Sequence, residues 1–216
     1  MVFRLSMTAV LVAGCLAGAA HGGQLAFSGW TEQKFSLFSK VNFRQAGNTL
    51  AFRSDDAASL IWQRVPQADW STQSAAWRWD VTASVPPTDL TRKGGDDRNA
   101  SMYFVFLPRD VTEANAGSGN IRKLLANPDA RVLMFVWGGA HTRGQILASP
   151  YLGARGKTVI LRGAGTGSFN ENVDLARDFS RAFGGAPGAL VGVAVSADSD
   201  DTNTQSAGQI SGLTLR

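Results

Sequence analysis

Short runs rich in Val, Ile, Phe and Trp recur along this chain between clusters of Gly, Pro, Asn and Asp, and that punctuation restricts it to an all-β sandwich or barrel. The spacing predicts strands near Leu25 to Phe27, Thr49 to Arg53, Ser59 to Gln63, Ala76 to Thr82, Ser101 to Leu107, Arg131 to Trp137, Thr158 to Arg162, Leu190 to Ser196 and Gly208 to Leu215. Side chains alternate along a strand, so Trp77, Trp79 and Val81 share one face while Arg78 and Asp80 share the other. Tyr103 to Leu107 and Val132 to Val136 are apolar on both faces, which predicts central strands covered on two sides. One helix is expected, over about residues 171-183, where Leu175, Phe179, Ala182 and Phe183 fall at helical spacing before Gly184-Gly185. The segment from Pro108 to Asp129 reads as a surface excursion with a short helix around Ile121 to Ala126. The expected fold is a β-sandwich of jelly-roll type with one packed α-helix.

The N-terminus has the three parts of a secretory signal peptide: Arg4, an apolar stretch from Leu5 to Ala13, and small residues from Gly14 to Ala20. Its apolar run is too short to span a bilayer as a helix, which needs about 20 residues. Residues 1-20 are therefore expected to be removed, leaving one domain over 24-216 that is periplasmic or secreted. A second reading stays open, because Val12-Ala13-Gly14-Cys15 resembles a lipobox in which Cys15 becomes a lipid anchor. Cys15 is the only cysteine, so cleavage after it leaves no disulfide, no thiolate nucleophile and no Cys-based metal site.

The chain has 21 Lys plus Arg against 17 Asp plus Glu, and sixteen of the cations are Arg scattered among acids. No basic stripe or aromatic-basic motif of a nucleic-acid module appears. Thr158 to Arg162 followed by Gly163-Ala-Gly165-Thr-Gly167-Ser168 imitates a dinucleotide loop, but Ser168 stands where the third glycine belongs. A turn is the better reading. No G-x-S-x-G elbow exists, and His21 and His141 are too few for a histidine zinc cluster. His141, in a Gly-rich loop, reads as surface structure.

A glycosidase needs only two carboxyls across a sugar, and Asp96, Asp97 and Glu171 are the candidates for such a pair, with Asp198 and Asp200 beside them. Adjacent Asp residues more often form turns by bonding their own backbone. Asp198, Asp200 and Asp201 also read as an oxygen-rich loop for calcium, the one cofactor the sequence suggests, although the spacing is not that of an EF-hand. Trp77 and Trp79 belong to the core, whereas Trp70 and Trp137 lie beside loops and are candidate platforms for sugar rings. With Arg162 and Asp97 they make up the expected ligand-binding set.

In sequence order, Ala58-Ser-Leu60, Trp77-Arg-Trp79-Asp-Val81, Lys93-Gly-Gly-Asp96-Asp97, Tyr103-Phe-Val-Phe106, Thr158-Val-Ile-Leu-Arg-Gly163, Glu171-Asn172, Asp178-Phe-Ser-Arg-Ala-Phe-Gly184 and Asp198-Ser-Asp200-Asp201-Thr202-Asn203-Thr204 resemble the bacterial family called domain of unknown function 3047. The family's Asp-Thr-Asp-Asn-Thr run is altered here, and its Lys-Gly-Asp-Asp turn carries an extra glycine. The resemblance implies exported proteins whose β-sandwich is similar to that of carbohydrate-binding modules, and it assigns no catalytic residue. The expected function is an exported, non-catalytic binding domain for a glycan or other polar envelope component. The alternatives are an enzyme acting on polysaccharide through a carboxylate pair, and a structural or assembly protein of the envelope.

Overall fold

The computed structural model of the chain describes residues 23–34, 40–114 and 121–216. The expected signal peptide, Cys15 and His21 lie outside the described residues. Strands are numbered along the chain. One sheet has six: β1 (Gly23–Gln24), β3 (Asn42–Ala46), β4 (Thr49–Asp55), β6 (Ser74–Ala83), β11 (Gly167–Asp174) and β13 (Gln205–Leu215). The other has seven: β2 (Thr31–Lys34), β5 (Ala58–Arg64), β7 (Arg98–Leu107), β8 (Arg131–Trp137), β9 (Ile146–Ser149), β10 (Gly153–Arg162) and β12 (Ala189–Asp198). The helices are α1 (Arg109–Ala114), α2 (Ile121–Ala126) and α3 (Leu175–Phe183).

The chain changes sheets at β1 to β2, β2 to β3, β4 to β5, β5 to β6, β6 to β7, β10 to β11, β11 to β12 and β12 to β13, which makes a two-sheet sandwich of jelly-roll type. In the larger sheet the order is β2-β5-β12-β7-β8-β10-β9, so the two apolar runs, β7 and β8, are central neighbours. Every pairing is antiparallel except that of β8 with β10.

Alternation decides what each face does. Trp77 and Trp79 point inward from β6 and meet Phe104, Phe135 and Trp137 of the larger sheet, with ring centroids 5.5 to 6.1 Å apart. Tilted and edge-on pairs of this kind add to the large apolar area each ring removes from water. The intervening residues Tyr103, Met134 and Val136 therefore lie on the outer face of the larger sheet, with Leu60 of β5 and Ser196 of β12 in register beside them.

The helix begins later than its spacing implies. Residues 171 to 174 finish β11, paired with β6, and Asp174 caps α3 by accepting from Arg177 N at 2.8 Å. Gly184, with φ 78°, closes it. Leu175 and Phe179 are buried, and Phe179 sits edge-on to Phe106 at 5.1 Å. The Leu25 to Phe27 strand is not formed, because Phe27 makes only an isolated bridge to Gly47 beyond the two residues of β1. No helix among the described residues is long and apolar enough to cross a membrane.

Candidate functional site

The outer face of the larger sheet carries a cavity of about 400 Å³. Leu60, Tyr103, Met134, Val136 and Thr158 form its floor, Leu125 of α2 and the turn Ser149 to Leu152 flank it, and Leu90 closes one side. One half is apolar. The other half is lined by Asp96, Arg98, Asp198, Asp200 and Asp201. Two glycines bring the neighbouring loop close enough to shape this end. At Gly139, φ is 75° and a Cβ would stand 2.7 Å from Leu90 Cδ1, while a Cβ on Gly138 would stand 2.7 Å from Arg98 Cβ. His141 serves the same contact, its Nε2 accepting from Leu90 N at 3.1 Å.

Arg98 is the hub of the polar half. Its Nη1 lies 3.0 Å from both Asp96 Oδ2 and Asp198 Oδ2, its Nε donates to Ser101 Oγ at 2.9 Å, and its Nη2 donates to Tyr103 OH at 3.1 Å. The Tyr103 hydroxyl in turn meets Ser196 Oγ at 3.0 Å. Asp198 Oδ1, by contrast, is buried and has no hydrogen-bond partner. Burial pushes the Asp198 carboxyl up to about 8, with the charges of Asp200 and Asp97 adding to the rise and Arg98 opposing it. Burial also raises Asp201, and Asp97 beside it adds to that.

Tyr151 stands at the edge of this half, 60 % exposed and the one large apolar side chain so open among the described residues. Its hydroxyl donates to Asp96 Oδ1 at 2.8 Å, and Lys93 Nζ lies 5.6 Å from the ring centroid. Burial of the hydroxyl end, together with Asp96, holds the phenol above its ordinary range. Sequence reasoning passed over Tyr151. The signal was there in a lone aromatic within the turn Ser149-Pro150-Tyr151-Leu152-Gly153.

The residues expected to bind or react divide sharply. Trp70 is 8 % exposed and donates its indole N–H to Val65 O, and Trp137 is 1 % exposed against Trp79 and Phe169. Neither ring is available as a platform, since both complete the core. Arg162 is also engaged: its Nε donates to Glu171 Oε1 at 2.8 Å and its guanidinium lies 3.8 Å from the centre of the Phe169 ring. Glu171 is buried between Arg162, Arg143 and the Trp79 indole, and it does not line the cavity.

Asp97 is fully buried and binds the opposite loop, accepting from Asp201 N, Thr202 N and the Thr202 hydroxyl. Asp96, Asp97 and Glu171 therefore do not face one another as a catalytic pair. Of the trio expected around a cation, Asp198 and Asp200 come together with Asp97, one oxygen from each lying within 4.8 Å of the others. Asp201 instead turns Oδ2 towards Asp96 N at 3.3 Å.

Residues 28–214 match the family described as "Protein of unknown function (DUF3047)". The chain belongs to that family. No curated protein matches it. Among solved structures, it is similar to the xyloglucanase domain of NopAA, a type three effector from Sinorhizobium fredii, in complex with cellobiose. The likeness covers 92 % of this chain and 99 % of that one, at 9 % sequence identity and a TM-score of 0.47.

Proposed function

We propose that this DUF3047 chain is an exported glycan-binding domain, periplasmic or secreted, that takes its ligand at the cavity on the outer face of the larger sheet. The observation that carries the reading is Tyr151, an exposed ring pinned by its hydroxyl to Asp96 beside the cavity. A pinned ring binds with little loss of side-chain freedom, which is why tyrosine serves well in recognition surfaces. A sugar presents a C–H face suited to such a ring and to the walls made by Leu60, Leu90 and Met134. Its hydroxyls are donors suited to the carboxylates of Asp96 and Asp200, and Arg98 supplies the fixed positive charge between Asp96 and Asp198.

The test is a glycan array followed by titration calorimetry on any oligosaccharide that scores. Tyr151→Ala should weaken binding at least about tenfold while the fold is retained, because truncating a recognition anchor typically costs over 1 kcal/mol. An array without signal, or a Tyr151→Ala variant that binds as well as the parent, refutes the reading. The mass of the mature N-terminus separates cleavage near Ala20 from acylation at Cys15, which would tether the domain to a membrane.

A further inference from the structure

We infer that Asp97, Asp198 and Asp200 hold a divalent cation of calcium type at the polar end of the cavity, a property that goes beyond glycan recognition and does not depend on it. Oxygens bound to one calcium at about 2.3–2.6 Å can be at most about 5 Å apart, and one oxygen from each of these residues lies within 4.8 Å of the others.

A second, independent observation is Asp198 itself. The residue is 8 % exposed, and while Oδ2 pairs with Arg98, Oδ1 is buried with no donor to satisfy it. A buried carboxylate oxygen without a partner is costly, so native structures seldom leave one. Asp97 accepts three hydrogen bonds, which leaves about one of a carboxylate's four lone-pair positions free for a metal. Asp96, Asp198, Asp200 and Asp201 line this end of the cavity with Arg98, Asp97 lies buried beside Asp198 and Asp200, and a dication would relieve the excess of negative charge. All-oxygen donors select a hard cation, and exposed Asp200 leaves one side open for the waters that complete calcium's six to eight ligands.

The experiment uses the full mature chain, stripped with chelator and then titrated with calcium or magnesium while melting is followed, with terbium luminescence as a direct readout of occupancy. Calcium at about a hundred times its Kd should raise Tm by about 5–11 °C. Magnesium should give less than half of that rise, because its shorter bonds demand a tighter octahedron. Asp200→Asn, at an exposed position that does not threaten folding, should lose most of the calcium shift and the terbium signal. No calcium shift together with no terbium signal overturns the inference, as does an Asp200→Asn variant that responds like the parent or a magnesium effect equal to that of calcium. None of these readouts involves a sugar, so a failed glycan array and a failed cation titration are separate results.

Discussion

Replacing Glu171 by alanine tests whether this residue is a structural clamp rather than half of a catalytic pair. Its side chain is 2 % exposed and accepts from Arg162 Nε at 2.8 Å, Arg143 Nη2 at 3.1 Å and Trp79 Nε1 at 3.3 Å. Trp79 is fully buried, so its indole N–H would lose its acceptor with no water to replace it, at a cost of about 1–2 kcal/mol. Arg162 is 28 % exposed, and its partial rehydration brings the loss well below the 3–5 kcal/mol of a fully buried broken pair, to about 1–2 kcal/mol. Arg143 is 53 % exposed and contributes little. The expected total is about 3 kcal/mol, or about 6–12 °C in Tm for a domain of this size. Urea unfolding followed by tryptophan fluorescence should show a lower midpoint with an unchanged m-value. The loss should largely persist in about 1 M salt, because buried pairs are weakly screened. A cost under about 1 kcal/mol would refute the clamp.

Two further predictions concern the polar end of the cavity. In chelator, the folded state keeps a proton on Asp198 up to about pH 8, whereas the unfolded chain releases it near the ordinary carboxylate value of 3.8. Stability from this group is thus complete below the unfolded value, declines as pH rises through that window and levels off above about 8; the Tm difference between the parent and Asp198→Asn, measured from pH 5 to 8, should move against the parent as pH rises, and a flat or opposite trend would sink the assignment. Gly139→Ala combines a left-handed backbone with a Cβ 2.7 Å from Leu90, so it should destabilise by over about 1 kcal/mol and weaken ligand binding by displacing that wall; a variant as stable as the parent would contradict the contact.

Much of the fold was legible because its signals are local. Eight of the nine expected strands overlap β4 to β8, β10, β12 and β13, and the double-sided apolar runs are indeed the central pair β7 and β8. The strands that escaped notice have physical reasons to do so. Asn42 to Ala46 and Gly167 to Asp174 pair at sheet edges and expose alternate polar residues, which read as turns. Glu171 and Asn172 precede a helical spacing and look like its first turn until the pairing with Trp77 and Ala76 places them in β11. The site was legible only in its acids. Flanking glycines put Trp137 beside a loop in the sequence, but the inward direction of its ring is set by pairing with Ala100 and by the opposite sheet, which no local pattern reports.

The two acidic clusters show why burial alone does not separate scaffold from site. Glu171 is one carboxylate facing two guanidinium groups and an indole N–H, all three within 3.3 Å, so its charge and its acceptors are matched by the chain itself. A ligand there would have to break those contacts before making its own. Asp198 is also buried, though less deeply, and it shares Arg98 with Asp96, meets further carboxyls at Asp97 and Asp200, and leaves an oxygen unpaired. Local interactions leave that cluster electrostatically incomplete, and it opens into a cavity with an exposed tyrosine beside it. Folding free energy must therefore be spent on holding Asp198 where it is, and the cation inferred for this cluster would, if bound, return part of that cost by mass action on the folded state.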